Sequence, residues 1–142
     1  MNSLPRKMIL ICLMIILLSA TSFASNNKMI DSKEVIRPKF TYINVFHHNF
    51  DISSNGKSSV SVYLDAHSVD QVKVVANLQQ YDKGNWRTIK SWSVKNNEDS
   101  AGIGKSYYVT RGYLYRLKSY GYAYVNDRLV EMDRMTSKSI WY

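Results

Sequence analysis

Three histidines, His47, His48 and His67, are the side chains of this sequence best suited to act as a neutral-pH base or to ligate a metal. A metal site would need two of them to converge with an acid such as Asp51 or Asp65. His47 and His48 are adjacent, and neighbouring residues of an extended strand point to opposite faces, so the expectation is a plain solvent-facing pair and no metal. Nucleophilic catalysis needs a serine or cysteine beside a base on a glycine-flanked turn. No G-x-S-x-G is present, and the one cysteine, Cys12, lies near the N-terminus. The eleven acids are scattered singly over turns, so no carboxylate pair marks a cleft for glycoside cleavage. Gly102-Ile103-Gly104 is too short to be a phosphate loop or a dinucleotide fingerprint. These residues predict no enzyme, no catalytic residue and no cofactor.

The informative excess is tyrosine together with positive charge: eleven tyrosines and a net charge of +8. Tyr113, Tyr115, Tyr120, Tyr122 and Tyr124 are interleaved with Arg111, Arg116 and Lys118, and Tyr107 and Tyr108 come just before them. On a strand, Leu114, Arg116, Lys118, Tyr120, Tyr122 and Tyr124 share a parity opposite to Tyr115 and Leu117. If Tyr115 and Leu117 face a core, the others form an outward stripe. Rings beside cations can stack on sugars or bases and hold phosphates, which makes Arg116, Lys118, Tyr120, Tyr122 and Tyr124 candidate binding residues. The plainer alternative is ordinary sheet surface, because tyrosine is a good strand former with a polar end.

The elements that must position this stripe begin after an export signal. Arg6 and Lys7 precede an apolar run from Met8 to Leu18, followed by small and polar residues, the pattern of a secretory signal peptide. The run is shorter than the about 20 residues needed to span a bilayer, and Ser22 and Ala24 flank Phe23 in a small-x-small site. Residues 1–24 are therefore expected to be removed, with no transmembrane segment left. That removes two cations and no acid, so the net charge of +8 becomes +6. It also removes Cys12, so apolar burial and strand pairing must stabilise the mature domain without a disulfide. Residues 25–38 read as a flexible polar leader and 39–142 as one β domain.

Short runs of Val, Ile, Tyr, Phe, Trp and Thr separated by Gly, Asn, Asp and Ser predict strands at 40–52, 57–66, 71–81, 86–94, 105–110, 113–125 and 129–142. The last has a break near Asp133 to Met135. Asn55-Gly56 supplies the positive φ angles of a tight turn after the first strand. Trp86 and Trp92 have equal parity, which puts both indoles on one face. Seven strands at this spacing predict an all-β, two-sheet sandwich.

The segment Gly112-Tyr113-Leu114-Tyr115-Arg116-Leu117-Lys118-Ser119 resembles the tyrosine corner of immunoglobulin-like and fibronectin type III domains. The resemblance implies that the Tyr115 hydroxyl bonds back to the backbone a few residues upstream and that Leu117 faces the core. It would also prefer a buried tryptophan earlier than Trp86, which instead opens the strand after the third. Residues 78–124, with LQQY, GNW, IKSW, GKSYYVT and RGYLYR, are similar to a group of small secreted proteins of Gram-positive bacteria. That likeness implies fold and export and no mechanism. The expected function is a secreted, non-enzymatic binding domain that contacts an anionic or glycan component of the cell envelope, such as a wall polymer, with no specific nucleic acid. The rivals are a secreted protein–protein factor of antimicrobial or toxin-antagonist type, and a small hydrolase.

Overall fold

The computed structural model describes residues 40–142; the signal peptide expected at residues 1–24, the leader expected at 25–38 and Cys12 lie outside the described residues. The described residues form eight strands and no helix: β1 (Ile43–Ile52), β2 (Lys57–Ala66), β3 (Gln71–Asp82), β4 (Asn85–Asn96), β5 (Ser100–Tyr108), β6 (Leu114–Val125), β7 (Arg128–Thr136) and the two-residue β8 (Ile140–Trp141). They make two antiparallel sheets packed face to face. One is ordered β1-β2-β5 and the other β4-β3-β6-β7, with β8 also paired to β6. An immunoglobulin constant-type sandwich puts its fourth strand beside the fifth. Here β4 stays paired with β3, so the architecture is the fibronectin type III-like variant.

Alternation sets the layers. Val60, Val62, Leu64 and Ala66 of β2 and Val72, Val74, Ala76 and Leu78 of β3 are all buried, and each neighbour between them is more exposed. Ala101 and Ile103 of β5 and Leu117 and Ala123 of β6 close the core, with Phe46, Phe50, Trp92 and Val94 packed around it. Each fully buried Val or Leu contributes about 1.5–3 kcal/mol.

The hairpin turns follow backbone chemistry. Lys83 and Gly84, and likewise Asn126 and Asp127, both have positive φ, the two-residue turn whose twist matches that of the strands. The β1–β2 connection differs from the turn expected at Asn55-Gly56, because only Gly56 has positive φ. Ser53 to Gly56 close a turn through Gly56 N to Ser53 O at 2.9 Å, and the Asn55 side chain accepts from Lys57 N at 3.1 Å.

Three further expectations are corrected. β5 begins at Ser100, inside the stretch expected to be a loop. Its outward positions are Gly102 and Gly104, which carry no side-chain signal, while Ala101 and Ile103 face the core. The last strand breaks at residues 137–139 instead of 133–135. Ser137 Oγ accepts from Leu117 N at 2.9 Å and Ser137 N donates to Leu117 O at 2.9 Å, so one serine takes both backbone groups of its neighbour and releases the chain from the ladder. Finally, Trp86 and Trp92 lie on opposite faces. The register jumps between Leu78↔Lys90 and Gln79↔Thr88, and the extra residue, Ile89, is a β-bulge that inverts parity.

Candidate functional site

β6 is the element that builds the candidate site, because its two faces differ completely. Inward it carries Tyr115, Leu117, Ser119, Gly121 and Ala123, all buried. The Tyr115 hydroxyl, on a side chain 1% exposed, donates to Thr110 O at 2.7 Å. Burial pushes that phenol above the usual tyrosine range despite the opposing pull of the Thr110 bond. A Cβ at Gly121 would come within 3.1 Å of Leu64 and of the Phe46 ring, so glycine there lets the two sheets approach.

Outward, β6 presents Leu114, Arg116, Lys118, Tyr120, Tyr122 and Tyr124, all half-buried. Register joins these to neighbours on the same face. Arg116 lies opposite Gln79, Tyr120 opposite Val75 and Arg134, Tyr122 opposite Lys73 and Met132, and Tyr124 opposite Gln71 and Leu129. Lys95 sits opposite Lys73 on β4. The rings and cations pair off. Lys73 Nζ lies 5.9 Å from the Tyr122 centroid, Lys95 Nζ 5.6 Å from Tyr124, and Lys118 Nζ 5.6 Å from Tyr120. The Arg116 guanidinium is 4.0 Å over Trp86, with its Nε donating to Gln79 Oε1 at 2.9 Å. Tyr120 and Tyr122 stack at 6.4 Å and 17°. Burial beside these neighbours raises the Tyr122 pKa, with Tyr120 and Tyr124 adding to the shift.

Lys73, Lys95, Arg116, Lys118 and Arg134 thus share one face with no aspartate or glutamate among its outward positions. Among the described residues the ion pair present is Arg87 with Asp82, at 3.4 Å, beside the β3–β4 turn. Lys73, Lys95, Arg116 and Lys118 lie over rings, which leave their charge unneutralised and available to an anion. Sequence parity brought Arg116, Lys118, Tyr120, Tyr122 and Tyr124 to one face; it missed Lys73, Lys95 and Arg134, which only cross-strand register brings there. It also missed Trp86 as a member of this face, because the bulge at Ile89 leaves no mark in the sequence. Trp92 packs against the core instead.

The histidines do not gather. His47 packs on Tyr63 with centroids 5.5 Å apart, and His67 Nδ1 is 2.7 Å from Asn44 Oδ1. His48 is not the solvent-facing residue expected: it turns inward, with Nδ1 2.6 Å from Ser119 Oγ. Burial lowers its pKa, and His47 lowers it further. That distance suits a nucleophile–base pair, but Ser119 is 0% exposed, so no substrate can reach the hydroxyl from outside. The pair ties β1 to β6. Glu131 ties β1 to β7 in the same way, its carboxylate accepting from Thr41 N and Tyr42 N at 2.8 Å and from Ile43 N at 2.6 Å. Burial alone would raise its pKa, yet these three backbone donors and nearby His67 bring it below the usual glutamate value.

No protein family, curated protein or solved structure matches the chain.

Proposed function

We propose that this is an exported binding domain whose larger sheet, through its outer face, contacts an anionic or glycan polymer of the cell envelope. The observation that carries this reading is the acid-free face on which Lys73, Lys95, Arg116 and Lys118 each lie over an aromatic ring. A row of cations attracts a polymer bearing repeated negative charge, and flat rings beside them add stacking area. Export is supported by the charged, apolar and small-residue order of residues 1–24, and a Gram-positive setting by the likeness of residues 78–124. The His48–Ser119 pair is buried, and catalysis is not part of the proposal.

The test is retention on isolated cell walls as salt is raised. Exposed charge contacts are screened within about 3 Å at 1 M, so the protein is expected to elute well below that concentration. Retention unchanged at 1 M salt would favour a second reading, contact with a protein partner. The observation favouring that one is β7, an edge strand with Leu129 52% and Met132 46% exposed, since unpaired apolar edges are adhesive.

A further inference from the structure

At one end of the same face the cations give way to an aromatic ledge. Trp86 on β4 lies opposite Tyr81 on β3, Tyr81 opposite Leu114 on β6, and Leu114 opposite Trp141 on β8. Directly opposed residues of an antiparallel sheet point the same way, so these four side chains form one row across the sheet. Tyr81 and Trp86 have centroids 5.2 Å apart, and Trp141, 67% exposed, is the most open large apolar side chain among the described residues. The row beside the ledge is polar and carries one cation, Arg116, whose guanidinium lies over Trp86. Gln79 accepts from Arg116 Nε at 2.9 Å and donates to Thr88 Oγ1 at 3.3 Å, and in the next row Ser91 Oγ donates to Asn77 Oδ1 at 2.7 Å. The lysines and tyrosines follow. From the Tyr81 row to the Lys73 row the strands run about 27 Å.

We infer that the face takes a linear acidic glycan lying along β3 and β6, with sugar rings stacked on Trp141 and on Tyr81, which Trp86 supports from beside, and its acid groups on Lys118, Lys73 and Lys95. A pyranose has an apolar C–H face rimmed by hydroxyls. It fits a flat ring flanked by amides and hydroxyls, whereas an acyl chain would desolvate Gln79 and Asn77, in the two rows next to the ledge, and offer their remaining polar groups no partner. A compact anion would use the lysines and ignore the ledge. Only a chain several sugars long reaches both ends. This rests on reading the larger sheet's outer face as the anion-binding surface, and it adds the chemistry that the anion carries.

Two probes separate the parts: a hyaluronan dodecasaccharide, which has sugar faces and carboxylates, and linear polyphosphate, which has charge and no rings. Affinities are measured by titration calorimetry on the secreted protein. Trp141→Ala is expected to weaken hyaluronan about tenfold and leave polyphosphate unchanged, since stacking is lost and charge is not. Trp141→Tyr, which keeps a ring, should retain most of the affinity, while Trp141→Leu, which keeps apolar bulk on β8, should not. Equal binding of hyaluronan by the parent and both ring-less variants overturns the ledge, as does an equal loss for the two probes. The joint substitution of Lys73 and Lys95 by glutamine should weaken both. If it weakens neither, the anion-binding reading of the face fails, whatever Trp141 does.

Discussion

The outer faces of the two sheets are built by the same alternation and have opposite chemistry. On the smaller sheet the outward residues of β2 are Lys57, Ser59, Ser61, Tyr63 and Asp65, and register sets them beside Val45, His47, Asn49 and Asp51 on β1 and Gly102, Gly104, Ser106 and Tyr108 on β5. That face has rings at one end and at one corner but a small, polar middle, and both signs of charge. On the larger sheet the equivalent positions hold lysine, arginine, tyrosine and tryptophan. Neither choice is needed for the core, which both sheets fill with Val, Leu, Ile and Ala. Long side chains cost more entropy to order than serine or glycine, and the larger sheet's continuous face of tyrosines and unpaired lysines is the one proposed for contact.

The sharpest way to break this contrast is to invert charge on one face at a time. Replacing Lys73, Lys95 and Lys118 by glutamate should weaken retention on walls by about two orders of magnitude, because attraction becomes repulsion. Glutamate at Ser59, Ser61 and Ser106, which makes half that change in net charge, should leave retention near that of the parent. Equal losses from the two faces would remove the distinction between them.

A second contrast separates the inner from the outer side of β6. Tyr115→Phe removes a buried donor from Thr110 and should cost about 1–3 kcal/mol of stability. Tyr122→Phe, on the outer side, should cost less than about 0.5 kcal/mol. Urea midpoints compare them directly. Equal shifts would mean that the two sides of the strand are less distinct than their burial indicates.

Glu131→Gln acts on the seam between the sheets. It puts an NH2 where a carboxylate oxygen receives backbone N–H groups, and should cost about 1–2 kcal/mol. The native glutamate's pKa is lowered by folding, so its contribution is complete above the ordinary value of 4.5 and is lost as pH falls through the folded value. The variant should therefore show a shallower acid limb in its urea midpoints.

His48 gives the smallest effect. Its pKa is also depressed in the folded state, so the stability from its neutral form is present above its ordinary value of 6.5 and lost as pH falls toward the folded one. His48→Gln should flatten that part of the profile; an unchanged slope would mean that the inward-turned ring takes up its proton as readily as an exposed one.

Much of the fold was legible because alternation is a local signal. Val60, Val62 and Leu64, and Val72, Val74 and Ala76, name their inner face without any help from the rest of the chain. The parity of Tyr115 against Tyr122 is legible for the same reason. What was not legible depends on interruptions of that period or on partners far along the chain. Ile89 shifts parity by one and carries Trp86 to the outer face. Gly102 and Gly104 are strand residues with no side chain to announce it. Glu131 looks like part of a surface charge run until β1 is laid beside it, and Lys73, Lys95 and Trp141 join the face only through register.

An amide chemical-shift titration of the isotopically labelled protein tests most directly whether the larger sheet's outer face is the binding surface proposed for it. On adding the hyaluronan dodecasaccharide, shifts should concentrate at Lys73, Lys95, Arg116, Lys118, Tyr120, Tyr122 and Tyr124 and extend to Tyr81 and Trp141, while Ser59, Ser61 and Gly104 stay in place. Shifts confined to β1, β2 and β5, or to the Leu129–Met132 edge, would contradict it.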